Sequence, residues 1–414
     1  MGLLLLCNGG FMILSAIVSG LYNDGATLEI SFAGITTIFV GILLMYGTKN
    51  HKKEIKKREG YMIVSFGWVF MTISGMLPYL FTGSIPSVTN AFFETMSGYT
   101  TTGASILNDI EVLPEGILFW RSTTHWIGGM GIIVLAIAIL PLLGIGGMQL
   151  FAAEAPGPSA DKLHPRITDT AKRLWFIYVG YTLAETLLLK LAGMSFFDAI
   201  NHAMATLSTG GFSTKNASLA YWNDNPLIQY IVIFFMFVAG ANFVLSYFAF
   251  KGKVQKVIND YEFRFYGLLV FCVSIVAALV IYFKANVPVS EYHPMVLGAA
   301  ESSLRHALFQ VISVITTTGF VTADYTSWTP FLTIVFFGLM FVGGSAGSTA
   351  GGVKVVRHLL MIKNGLLEFK RTLHPNAIIP VRYNGKTVSE NIIYNILGFF
   401  IIYMLLFITG AVVL

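Results

Sequence analysis

Thr316-Thr317-Thr318-Gly319-Phe320 is the third of three related stretches, after Tyr99-Thr100-Thr101-Thr102-Gly103 and Leu207-Ser208-Thr209-Gly210-Gly211. Gly103 and Gly210 lie 107 residues apart, and Gly210 and Gly319 lie 109 apart. A turn of two hydroxyl residues and glycine, recurring at a near-constant interval, marks an internal repeat. Each copy follows a short apolar run with helical character and precedes a long apolar stretch. Nine residues before the three glycines stand Glu94, Asn201 and Gln310, all polar within apolar surroundings. The expectation is that the turns line one ion pathway.

Composition gives the setting. The chain of 414 residues is 55% hydrophobic and only 11% charged, with a mean hydropathy of +0.71. Soluble domains carry about 25% charged residues, so too little polar surface is available to cover a soluble globule. Apolar runs of about 20 residues match a bilayer, and the alternating strands of about 10 residues that build a membrane barrel are absent from the sequence. The fold class is an all-α polytopic membrane protein of tandem helix–pore loop–helix repeats, preceded by an extra helix pair. The two cysteines, Cys7 and Cys272, sit far apart in apolar runs and predict neither a disulfide framework nor a metal cluster. No paired catalytic carboxylates, Ser/His arrangement or His-x-x-Glu-His motif points to an enzyme.

The net charge of +5 is a topology signal. Lys49 to Arg58 carries six Lys/Arg residues and is assigned to the cytoplasm by the positive-inside rule. Runs 3–22 and 30–48 precede it, which puts the N-terminus in the cytoplasm; the first run opens without polar flanking residues, so a natural start further upstream is expected. From there 60–80 cross outward, 89–103 form a short helix and turn, and 116–140 return to Lys162, Arg166, Lys172 and Arg173. Residues 174–193 cross out and 226–250 return to Lys251, Lys253 and Lys256; 262–283 cross out and 329–350 return to Lys354, Arg357, Lys363, Lys370 and Arg371. Every hydroxyl–glycine turn then falls on the outer side, and every basic loop on the inner side. The domains are 1–59 (extra pair and basic loop), 60–171, 172–260 and 261–388 (three pore repeats), and 389–414, the first helix of a fourth. Extending the period by about 108 residues puts a fourth glycine near position ~427, beyond the last residue.

Non-helical backbone is tolerated at membrane depth where it lines a water-filled cavity. Its carbonyls can replace an ion's hydration shell. Glycine suits such turns because it takes positive φ and admits close backbone approach. The filter candidates are Thr101, Thr102 and Gly103, then Ser208, Thr209 and Gly210, then Thr317, Thr318 and Gly319. Their hydroxyls either add oxygen ligands or brace the turn from behind. The short helices present negative C-terminal ends, which favours cations. Asn201 and Gln310 read as tethers to neighbouring backbone, whereas Glu94 would add negative charge at the mouth. Gly343 to Gly352 is a run of ten small residues late in the third returning segment. Glycine costs about 1 kcal/mol per helix position, so this stretch should be broken or loosely wound. It is the gate candidate: Gly343, Gly344, Ser345, Gly347, Ser348, Gly351 and Gly352, with Lys354 either snorkelling or helping to close the pore. Trp126 to Gly131 and Gly240-Ala241-Asn242 read as close-packing points, with Asn242 alternatively facing the pore, and His125 and His202 read as structural.

Phe93 to Ala104, His125 to Gly131, Phe151 to Pro165, Ser208 to Ser213 and Ala346 to Lys354 closely resemble the Trk/Ktr/HKT superfamily of potassium uptake proteins, in its bacterial TrkH/TrkG-like membrane subunit. The resemblance runs over nearly the whole chain. It implies a potassium-channel-like fold with four pore loops in one subunit, a homodimer with one pore per subunit, a central potassium site and a bacterial inner-membrane location. It implies a gating loop, which maps to Gly343–Gly352, and a TrkA-type cytosolic regulatory partner binding ATP/ADP or NAD, with no covalent cofactor on this chain. Glycine in the first filter turn, here Gly103, goes with potassium passage in that superfamily. The family's fourth pore loop, and the last helix with its basic residue near the gate, fall beyond this sequence. The alternative is a secondary transporter coupling sodium or protons to a solute; that architecture usually carries inverted repeats, whereas these repeats are parallel.

Overall fold

The computed structural model describes residues 1–48, 57–129, 131, 167–284, 294–374, 376, 377 and 379–413. Most of the basic segment Lys49–Arg58, and Lys162, Arg166 and the motif Phe151–Pro165, lie outside the described residues.

The uncharged opening run forms the helix Gly2–Tyr22, and Thr27–Gly47 returns beside it. Asn23 takes left-handed backbone (φ 53°) and sends its N–H to Ser19 O, ending the first helix. The Asp24 carboxylate is bonded by the Ser19 hydroxyl, by Ala26 N–H (3.0 Å) and by Gly116 N–H (2.7 Å), so the turn ties the pair to the next unit. Glycines set the approach of the two helices. A Cβ on Gly9 would stand 2.7 Å from Gly34 O, and one on Gly41 would stand 2.9 Å from Gly2 O. Small residues are how membrane helices come close where burial against lipid gives no driving force.

Three units follow. Their opening helices, expected to run outward, are Lys57–Gly75, Ile167–Leu191 and Tyr261–Lys284. The last has 24 residues, or about 36 Å at 1.5 Å per residue, more than the ~30 Å of hydrocarbon. The pore helices are Val88–Tyr99, Phe196–Leu207 and Ala299–Ile315. The first two have 12 residues each, about 18 Å, and cannot span. Ser87 and Ser195 cap them by accepting the N–H groups of Asn90 and Asp198. The chain is therefore a helical membrane protein of repeated units with an extra pair in front. Among the described residues five helices are long and apolar enough to cross a membrane, or six counting one bent pair.

The returning segments differ from expectation. The described part of the first ends as a helix at Gly129, and 132–140 lie outside the described residues. The second, expected as one crossing over 226–250, is Pro226–Ala239 and Phe243–Phe250, bent by 105°. Gly240 ends the first piece, and Asn242 starts the second by accepting Val244 N–H (2.8 Å). Gly240-Ala241-Asn242 is thus a helix break rather than only a packing point. The third, expected over 329–350, is helical for the 10 residues Pro330–Leu339, about 15 Å. The glycine-rich run continues it as a loop.

Beyond the loop, Val355–Leu373 carries Arg357, Lys363, Lys370 and Arg371. A two-stranded hairpin then pairs Arg382 with Thr387 and Tyr383 with Lys386. Its turn, Asn384 (φ 45°) and Gly385 (φ 77°), has both central residues in the left-handed region, as a tight hairpin of this hand needs. Glu390–Val413 ends the chain, and most of its surface is exposed.

Gly9→Leu should overpack the N-terminal pair, at a cost of roughly 1–3 kcal/mol, and lower the melting temperature in detergent. Gly10→Leu, where a Cβ meets nothing within 4 Å, should leave it unchanged.

Candidate functional site

The three pore helices end at Tyr99, Leu207 and Ile315, each 108 residues after the last. Each ends in the same hydrogen-bonded turn. Thr101 N–H bonds Gly98 O (3.0 Å) and Thr102 N–H bonds Ser97 O (2.9 Å). Thr209 and Gly210 repeat this to Thr206 and Ala205 at 2.9 Å each, and Thr317 and Thr318 to Val314 and Ser313 at 3.1 and 2.9 Å. This is the Schellman pattern, whose left-handed position normally holds glycine. Here it holds a β-branched residue three times: Thr101 (φ 52°), Thr209 (φ 53°) and Thr317 (φ 56°). Such a conformation costs of order 1–3 kcal/mol per site and persists only where surrounding structure enforces it. Two residues on, Gly103 (φ 76°), Gly211 (φ 81°) and Gly319 (φ 81°) are again left-handed.

The period is thus constant at 108, and the counterpart of Gly103 and Gly319 is Gly211 rather than Gly210. Gly210 takes the place of Thr102 and Thr318. Two adjacent glycines hid the register, since a hydroxyl–glycine pattern stops at the first. The same shift moves the polar set to Glu94, His202 and Gln310. Asn201 instead donates to Phe197 O on its own helix (2.7 Å).

All three members of the corrected set hold the chain just past the turn. Glu94 accepts from Ser105 Oγ and from Ile106 N–H, both at 3.0 Å. His202 Nε2 bonds Ser213 Oγ (2.9 Å), and Gln310 Nε2 donates to Ala323 O (3.1 Å). Inner braces repeat as well, from Ser97 Oγ to Ala104 O (2.6 Å) and from Ser313 Oγ to Phe320 O (2.7 Å). The threonine hydroxyls pair within their own turns, Thr100 with Thr102 and Thr316 with Thr318, at 2.8 Å each. They brace, and the backbone oxygens remain as the ligand candidates.

Glu94 is not a charge at the mouth. It is fully buried, and Arg121 Nε lies 2.7 Å from Oε1. A buried carboxylate needs such a partner. Arg121 also donates to Ser213 O (3.1 Å) and stacks its guanidinium 3.5 Å from the Phe212 ring centroid, so one side chain joins the first unit to the second. Gln229 sits one period later and accepts from Arg305 of the third pore helix. It also donates to Asn223, whose own amide bonds Thr322 O (3.1 Å). Sequence reading passed over both, although a charged or amide side chain inside an apolar run was the available signal. His125 is structural as expected: it stacks on Phe212 at 3.8 Å and accepts Phe212 N–H (3.4 Å).

Neighbouring turns abut. A Cβ on Gly103 would collide with Gly210 O, and one on Gly211 with Thr318 O, the same contact one period later. Gly319 faces open space on that side. The turns of the three units therefore lie edge to edge, first against second and second against third.

The glycine-rich run lies directly against them. Gly351 N–H donates to Thr317 Oγ1 (2.7 Å), and Thr349 Oγ1 donates to Leu207 O (2.9 Å) at the end of the second pore helix. Expected to be broken or loosely wound, the run does break the helix, and it is a folded loop rather than a loose one. Ser345 N–H bonds Gly240 O (2.8 Å), Phe243 N–H bonds Gly347 O (3.1 Å) and Val355 N–H bonds Gly344 O (2.9 Å). Ala346 N–H bonds Glu262 Oε1 (2.6 Å). Gly343 (φ 77°) and Gly352 (φ 77°) cross so closely that a Cβ on Gly343 would stand 2.9 Å from Gly352 Cα. Gly347 is also left-handed (φ 73°), and Ser348 Oγ bonds Ser345 O (2.6 Å). Lys354 does not snorkel: it folds back, and its ammonium donates to Ala350 O.

Sequence and structure comparisons give the family and the fold. The TrkH family of cation transport proteins matches residues 28–414. The chain belongs to that family. It is 42% identical over 412 residues to the Trk system potassium uptake protein TrkH of Escherichia coli, covering 99% of this chain and 83% of that one. TrkG of the same organism is 36% identical over 399 residues, covering 95% of this chain and 79% of that one. The crystal structure of the potassium transporter TrkH from Vibrio parahaemolyticus superposes with a TM-score of 0.85 at 37% identity, over 99% of this chain and 82% of that one.

Arg121→Leu leaves the Glu94 carboxylate buried without its partner and should destabilise the protein by about 3–5 kcal/mol. The double variant Glu94→Gln/Arg121→Leu should recover much of that loss, read as melting temperatures in a double-mutant cycle.

Proposed function

We propose that this TrkH-family chain carries potassium across the bacterial inner membrane, through a filter built from its Thr/Ser–Gly turns. The observation that carries the reading is the thrice-repeated left-handed threonine. Strain of 1–3 kcal/mol per site is retained in all three units, where glycine would relieve it. A strained backbone fixes where its carbonyls point, and oxygen ligands suit a hard cation. Relatives named as potassium uptake proteins support potassium as that cation. Among the described residues no feature favours the solute-coupled alternative, and the units repeat in the same order rather than inverted.

The filter set is Thr101, Thr102 and Gly103; Ser208, Thr209, Gly210 and, by the corrected register, Gly211; and Thr317, Thr318 and Gly319. The gate is the loop Gly343–Gly352 with Lys354. Its bonds to Thr317 and to the end of the second pore helix hold it across the path, so conduction requires it to move. A homodimer, a cytoplasmic N-terminus and a TrkA-type partner binding ATP/ADP or NAD complete the reading. The basic helix Val355–Leu373 and the hairpin after it are the surface by which such a partner would reach the loop.

Rubidium uptake into vesicles carrying the protein tests the function. Uptake should be competed by potassium and far less by sodium; equal competition would overturn the assignment. Gly211→Ala, whose methyl would run into Thr318 O, should lower potassium/sodium discrimination by an order of magnitude or more while insertion is retained. Thr317→Val removes the acceptor for Gly351 N–H and should raise unregulated rubidium flux several-fold; unchanged flux would count against the gate.

A further inference from the structure

We infer that a groove on the outer flank of the second unit is a binding site for an anionic phospholipid of the cytoplasmic leaflet. The groove lies between the outward helix Ile167–Leu191 and the two pieces of the returning segment, and has a volume of ≈ 530 Å³, within the usual range for ligand sites. Phe176, Gly180, Tyr181 and Ala184 form one wall, Phe234 the facing wall and Phe250 one end. Gly180 opens it, since a Cβ there would meet nothing within 4 Å. Phe176 (67% exposed), Phe234 (58%) and Phe250 (68%) rim it without closing it.

Its position and length fit one leaflet. Phe176 stands four residues inside Lys172, at the basic end of the outward helix. From there to Ala184 the wall runs about 12 Å, close to the ~15 Å of one leaflet's hydrocarbon. An acyl chain is the apolar body that this depth provides.

Charge identifies the head group. Arg173, one turn before Phe176, and Lys251, next to Phe250, converge on the Tyr247 ring, at 5.4 and 5.0 Å from its centroid. Arg173 also donates to the Tyr247 hydroxyl (2.6 Å), which fixes its fork at the end of the groove. Residues 247–257 add Lys253 and Lys256 and contain no carboxylate, and on the facing helix Lys172 and Arg173 together outnumber the one nearby acid, Asp169. Two cations at the lower end of an apolar slot complement a lipid phosphate whose chain lies in the slot, and the remaining negative charge of an anionic head group meets the other lysines. The 105° bend at Gly240–Asn242 brings Phe250 and Lys251 to this place, and the same break exchanges backbone hydrogen bonds with the glycine-rich loop. A lipid seated here braces the piece of chain on which that loop rests.

The test is native mass spectrometry of the purified protein, incubated in mild detergent with phosphatidylglycerol or with phosphatidylcholine of the same chains. Phosphatidylglycerol should be retained about ten-fold more than phosphatidylcholine, the order expected for two cations beside one anionic head group. Gly180→Leu, which fills the slot, should abolish retention of both while the protein stays monodisperse. Arg173→Gln/Lys251→Gln should erase the preference and leave weak retention. Equal retention of the two lipids by the unaltered protein, or full retention by Gly180→Leu, would overturn the site. Efficient cross-linking of Gly180→Cys between two copies in native membranes would assign the groove to a second copy and overturn it too.

Discussion

A peptide group inside a bilayer must find its hydrogen bonds within the protein, and the three turns proposed as the filter are non-helical. The rest of the fold follows from satisfying them. Each pore helix ends in a turn that returns two N–H groups to its own last carbonyls. A polar side chain one helix length back then holds the emerging strand: Glu94, His202 and Gln310 do this with three different chemistries at one position. A carboxylate is the most demanding of the three, because it brings a charge that must be neutralised. Arg121 answers it and, through Ser213 O and the Phe212 ring, links two units.

Strain and bracing are two sides of the same arrangement. A left-handed threonine would relax if its neighbours allowed it. They do not, because Gly103 and Gly211 press on the carbonyl oxygens of the next turn with no room for a methyl group. Each turn is thus held by its helix from behind, and the first two also by the next turn at their side. Bracing of this kind keeps the turns' carbonyl oxygens in fixed places, at a cost in backbone strain.

The returning segments apply the opposite rule. They stop being helical where glycine and small residues remove the side-chain contacts that a helix would bury, and two such breaks meet. Gly240–Asn242 of the second unit and Gly343–Gly352 of the third exchange backbone hydrogen bonds, so each supplies partners that the other's unwinding exposes. A loop held mainly by main-chain bonds and by Thr317, Thr349 and Glu262 is ordered but shallowly anchored, because few apolar side chains pin it.

By itself the sequence determined the class, the extra helix pair, the three units and the residues of the turns, because hydropathy, basic loops and glycine–hydroxyl repeats are local signals. Breaks at the glycine-rich run and the structural role of His125 were legible for the same reason. Tertiary structure decided the register. Two glycines side by side at 210 and 211 are equivalent in sequence, and only the left-handed backbone at Gly211 separates them. That single-residue correction exchanged Asn201 for His202. Tertiary structure also decided that Glu94 is paired, that Lys354 folds back, and that the glycine-rich run packs on Thr317. Each of these depends on which groups meet across distances in sequence, and burial makes a charge seek a partner whose position no local pattern encodes.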